Sequence, residues 1–112
     1  MKTINRTQVE FEIIVHPEHT PLKGNVLVSG DDQTDTEAEE EIARQLENGN
    51  EWAWCTIEVK AKYKSLEASD YLGCCSYASE EDFKKDGYYL DMKDRAFEEL
   101  QNQVNEIVKD LI

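Results

Sequence analysis

The run Trp52-Ala53-Trp54-Cys55-Thr56-Ile57-Glu58-Val59-Lys60-Ala61-Lys62-Tyr63 changes character at every second residue. Cys55, Ile57, Val59, Ala61 and Tyr63 fall on one side, and Trp54, Thr56, Glu58, Lys60 and Lys62 on the other. A period of two sustained over that length, among aromatic and β-branched residues, predicts a half-buried strand. Lys64-Ser65-Leu66 then leads into a second β-compatible run, Ala68-Ser69-Asp70-Tyr71-Leu72-Gly73-Cys74-Cys75, at the separation of a hairpin. That hairpin is the floor on which the rest of the chain is expected to pack.

Upstream, Gln8 to His16 reads as a first strand, with Val9, Phe11, Ile13 and Val15 on one face and Glu10, Glu12 and His16 on the other. Ile14 breaks the alternation, so part of the second face should be covered too. Pro17 ends the ladder by removing a donor. His16 to Asn25, with two prolines and a glycine, is loop-like. The short apolar segment Val26-Leu27-Val28 is expected to fold over the sheet, above the tryptophans.

Helical signals occupy the rest. Thr34 and Thr36 each precede a glutamate by three residues (Glu37, Glu39), the capping-box pattern. Ala38, Ile42 and Leu46 make a narrow apolar stripe, and Asn48-Gly49 supplies a left-handed stop after three to four turns. Ser79-Glu80-Glu81-Asp82 starts a second turn that Gly87 should close. From about Tyr88, Met92, Ala96, Phe97, Leu100, Val104, Ile107, Val108 and Leu111 repeat at three and four residues, predicting a long amphipathic helix. The expected fold is a single α+β domain over 1–112: a small, mostly antiparallel three-stranded sheet in the order β-α-β-β-α, with two amphipathic helices on one face. A right-handed crossover making the first two strands parallel stays open.

Charge is the strongest compositional signal. Asp+Glu number 25 against 12 Lys+Arg, a net charge of -13 in 112 residues. Such a chain repels nucleic acid and anionic membranes, and its natural partners are cations, basic protein surfaces or clefts built for nucleic acid. No stretch has the length of a signal peptide or a membrane span, which points to the cytoplasm. Three cysteines, Cys55, Cys74 and Cys75, are an odd count and suit buried thiols in a reducing compartment.

Candidate sites follow from these features. Asp31, Asp32, Asp35, Glu37, Glu39, Glu40 and Glu41 form an acidic run with no basic residue inside it. Carboxylates on neighbouring helical turns lie about 5–6 Å apart, comparable to phosphate spacing, so the run can present a row of fixed negative charge. A second row would pass through Glu80, Glu81, Asp82, Asp91, Asp94, Glu98 and Glu99. The alternative for both is an ordinary solvated face. Trp52 and Trp54 either form an aromatic recognition patch or, the favoured reading, are core. Zinc held by the cysteines with His16 or His19 lacks the usual closely spaced thiol pair, and a Cys-His nucleophile lacks a local signature. Asp31-Asp32-Gln33-Thr34-Asp35 is no calcium loop, because Ile42 stands where the closing glutamate belongs.

Gly24-Asn25, Ser29-Gly30-Asp31-Asp32, Asn50 to Cys55 and Asp70 to Tyr77 resemble segments of small open reading frames carried by phages and other mobile elements. The resemblance spans most of the chain and attaches no activity, cofactor or site residue. It implies a host-cytoplasm setting and counter-defence inhibition of host enzymes. The expectation is therefore a non-enzymatic acidic binding protein, a nucleic-acid mimic facing a basic host protein cleft. It would need no cofactor, bind neither nucleic acid nor membrane directly, and leave a homodimer open. Alternatives are a metal- or thiol-dependent small enzyme or sensor using Cys55, Cys74 and Cys75, or a homo-oligomeric structural protein.

Overall fold

Alternation along the central run puts its apolar side chains where a sheet needs them. Cys55, Ile57, Val59 and Ala61 are fully shielded and Tyr63 nearly so. All five lie on the side of β2 (Cys55–Tyr63) that meets the long helix α3 (Gly87–Asp110), whose Met92, Ala96, Leu100 and Val104 are buried against it. The computed structural model describes residues 3–26 and 32–111. β2 is the middle strand of three, between β1 (Glu10–Pro17) and β3 (Leu66–Cys75), and both pairings are antiparallel. The α+β fold with an antiparallel sheet is thus as the alternation predicts.

The parallel alternative fails on register. Pro17, the last residue of β1, pairs with Cys55, the first of β2. The chain between them leaves and re-enters the sheet at the same end, which an antiparallel pair requires and a crossover cannot satisfy. Pro17 therefore sits inside the ladder, on an edge strand where a missing donor is tolerated.

The hairpin joining β2 to β3 turns on two residues, Lys64 and Ser65, with Tyr63 opposite Leu66 and Lys64 at φ +55°. Near the other end the register slips: Ile57 faces Leu72 but Cys55 faces Cys75, so Gly73 and Cys74 oppose Thr56 alone. This β-bulge, with Cys74 at φ +53°, decides the fate of the vicinal cysteines. Strict alternation from Leu72 would turn Cys74 inward; the extra residue leaves Cys74 exposed and returns Cys75 to the core beside Cys55.

The helix-bearing face is completed by α2 (Glu80–Lys85). Ser79 caps it by accepting from the Asp82 amide, and Asp82 accepts from Ala78. Phe83 is fully buried, with the rings of Trp52, Tyr77 and Tyr89 at 5.3–5.9 Å. Gly87 does not close this turn. It is the first residue of α3, whose N-cap is Asp86, accepting from Tyr88 N–H.

The other amphipathic helix, α1 (Asp32–Glu47), takes a different place from that expected. Its buried Ile42 and half-buried Ala38 meet Val26, Leu22, Ala53 and Trp54 in a cluster separate from the sheet core. Its principal contact is the short turn Glu51–Ala53 ahead of β2. The helix already runs at Asp32, so Thr34 and Thr36 lie inside it rather than capping it. Its end is as read: Gly49 at φ +92° donates to Leu46 and Asn50 donates to Gln45, the Schellman arrangement. With α1 beyond the end of the sheet, the molecule measures 60 × 23 × 22 Å and its radius of gyration is 17.7 Å. A compact chain of this length would have about 13 Å.

Candidate functional site

Turned away from α3, the sheet shows a polar face whose centre is Glu58. The residue is only 6% exposed. Ile14 sits directly opposite on β1 and Tyr71 on β3, which explains the shielding and the break in the β1 alternation. Its carboxylate accepts from Ser69 Oγ at 2.6 Å and Tyr71 OH at 3.2 Å on one oxygen, and meets His16 Nε2 at 2.8 Å on the other. Burial alone would raise its pKa; the bonds from Ser69, His16 and Tyr71 outweigh that and hold it below the usual carboxylate value.

Ser, His and Glu within bonding distance invite comparison with a catalytic triad, but the connectivity is wrong. Nucleophilic activation needs the serine proton to pass to histidine, with the carboxylate behind the ring. Here Ser69 and His16 both bond Glu58. The group is a satisfied buried anion tying three strands together.

A second fixed carboxylate marks the end of the sheet. Glu18 accepts from the Cys74 and Thr20 amides and from Thr56 Oγ1. The two backbone donors, Cys74 first, pull its pKa down to about 2. The bulge thus gives Glu18 its anchor, and a side chain at Gly73 would press on Glu18 at 3.1 Å.

The two buried thiols, Cys55 and Cys75, are chemically quiet. Burial first, then the charge of Cys75 and Glu18, pushes Cys55 up to about 12; burial likewise pushes Cys75 up to about 11. Each donates to a backbone carbonyl, Cys55 to Trp52 and Cys75 to Leu72. His16 is engaged by Glu58 and His19 is exposed. Among the described residues no three His, Cys, Asp or Glu side chains converge as metal ligands. No helix among them is long and apolar enough to cross a membrane.

The acidic run divides. Asp31 and the side chain of Asp32 lie outside the described residues. Asp35 and Glu39 are half-buried, and Glu39 accepts from the Gly24 amide at 2.8 Å, tying the preceding loop to α1. Glu37, Glu40, Glu41 and Glu47 are exposed on the outward side of the helix. The one basic residue of α1, Arg44, is ion-paired with Glu41. Two members of the second row are ion-paired, Glu80 with Lys84 and Asp94 with Arg6, and Arg95, which lies among them on α3, pairs with Asp70 on β3.

Trp52 and Trp54 do not make a joint patch. Asn50 accepts from the Trp52 amide and the chain makes a 3-10 turn there, so strand geometry begins only at Cys55. Trp54, 8% exposed, packs with Val26 and Ile42 and donates its indole N–H to Thr20 O at 2.9 Å. Trp52 joins the opposite cluster against Phe83. Of the segment expected over the tryptophans, Val26 does cover Trp54; Leu27 and Val28 lie outside the described residues. Comparison with family models, curated proteins and solved structures returned no match.

Proposed function

We propose that this chain is a non-enzymatic binding protein that presents an anionic helix face to a basic surface of another protein. The observation that carries the reading is the outward side of α1. Glu37, Glu40, Glu41 and Glu47 are exposed there, and the only cation of the helix, Arg44 on the turn between Glu41 and Glu47, is bound to Glu41. The helix stands at one end of an elongated molecule, where a deep cleft can receive it.

Magnitudes favour a particular partner class. Thirteen net negative charges along a 60 Å axis amount to roughly one per 4.6 Å. One nucleic-acid strand carries a charge about every 3.4 Å and a duplex about every 1.7 Å. The chain thus approaches the charge density of a single strand and falls well short of a duplex. An enzyme with a cationic channel for single-stranded nucleic acid is the partner such a surface competes for, and inhibition by occupancy is the effect. Buried thiols at Cys55 and Cys75 that stay protonated, and a serine bonded to the carboxylate rather than to histidine, support the non-enzymatic form of this reading.

The test is capture of partners from host lysate at about 50 and 500 mM salt by the protein and by its Glu37→Lys/Glu40→Lys/Glu41→Lys variant. Specific partners should be held at low salt, released at high salt and lost by the variant. Retention of every partner by the variant would defeat the proposal.

A further inference from the structure

Between the C-terminal end of α1 and the end of β1 lies a cleft of about 290 Å³, lined by Val15, Pro17, Glu18, Leu46, Glu51 and Trp54. We infer that it is a socket for one cationic side chain of a partner protein, arginine before lysine; this deepens the reading of an acidic binding protein by giving it an anchor point.

Size is the first argument. Pockets for small ligands run from about 300 to 1,000 Å³ and enclose most of the ligand. This cleft lies just below that range, a size suited to a single long side chain. Chemistry is the second. Four of the six lining residues are apolar or aromatic, and the other two are carboxylates. Arginine and lysine have that division in reverse, an apolar stem with a charged head.

Both carboxylate residues belong to the lining, and they differ in how they are held. Glu18 is held by the Cys74 and Thr20 amides and by Thr56, so its charge is fixed in place before anything binds. Glu51 is exposed at the start of the turn before Trp54 and makes no ion pair among the described residues. A guanidinium carries five donors in a planar fork and reaches two carboxylates more readily than a compact ammonium does. Its stem would lie along Val15, Pro17, Leu46 and the small exposed edge of Trp54.

The experiment titrates the isotope-labelled protein with N-acetyl-Gly-Arg-Gly-amide and with the same peptide carrying citrulline, the uncharged isostere, following the indole N–H of Trp54 and the methyls of Val15 and Leu46. The arginine peptide should shift these signals saturably while Trp52 stays still. Citrulline should bind at least fivefold more weakly, and Glu51→Gln should weaken the arginine peptide about two- to fivefold. Equal binding of citrulline, an unchanged affinity in Glu51→Gln, or no saturable shift at Trp54 would overturn the inference. The Glu37→Lys/Glu40→Lys/Glu41→Lys variant separates the two proposals. A socket that binds arginine while that variant keeps all its lysate partners sinks the helix-face function alone. A dead socket beside intact, charge-dependent capture sinks the socket alone.

Discussion

Glu58 is where a single residue matters most. Replacing it with alanine removes its bonds to Ser69, His16 and Tyr71, and a hydrogen bond to a charged group contributes about 1.5–3 kcal/mol. Glu58→Ala should therefore lose about 2–3 kcal/mol in urea unfolding at pH 7, and Glu58→Gln less, since it keeps the shape. The pH dependence follows from Glu58 and Glu18, both held below the ordinary carboxylate value and Glu18 at about 2. A depressed folded pKa gives stability that is present above the unfolded value near 4.3 and is lost as pH falls toward the folded one. The acid limb should thus fall between about pH 4.5 and 2, and Glu18→Gln should flatten it. Lys64 is a different case. It occupies φ +55° in a two-residue turn, and Lys64→Asn, which tolerates that region, should stabilise by about 0.5–1 kcal/mol.

Among elements, α1 is attached least. Its interface is the small cluster around Ile42 and Trp54, whereas β2 and α3 share the long core. Its amides should exchange with solvent through local openings well below the global free energy, ahead of those of β2 and α3. Gly49→Ala, forced to φ +92°, should cost about 1 kcal/mol and fray the last turn first. Much of this architecture was legible because periodicity is a direct record of burial. The inward residues of β2 and the stripe from Met92 to Val104 on α3 are where alternation and helical spacing put them. What could not be read depends on one-residue events. The turn at Asn50–Trp52 parts the tryptophans, and the bulge at Gly73–Cys74 swaps the cysteines, without changing composition or period. Glu58 was missed because a glutamate on the polar side of a strand looks solvated. Its signal was available in the two-residue turn, which sets Glu58 opposite Tyr71 and Lys60 opposite Ser69, and in the misplaced Ile14.

For the whole molecule, shape and charge act together. Small-angle scattering should return a radius of gyration near the 17.7 Å of the coordinates rather than about 13 Å. Thirteen uncompensated charges repel one another, and most of the ion pairs are exposed and contribute little. Screening should therefore stabilise on balance: Tm is expected to rise between about 10 and 300 mM sodium chloride, the reverse of a fold that depends on surface salt bridges. The acidic face was visible as composition, but its division into an outward side of α1 and a second row interrupted by cations was not, because Arg6 is brought to Asp94 only by the tertiary fold.

The pairing of Pro17 with Cys55 has a consequence for how such a molecule changes over time. The chain between Glu18 and Trp52, both of which are anchored on the sheet side, leaves and returns through one doorway whose two jambs are paired neighbours. A short hairpin could bridge them, or an unrelated appendage could be fitted, without moving a strand. The arm that carries α1 and the scaffold beneath it are free to evolve at different speeds.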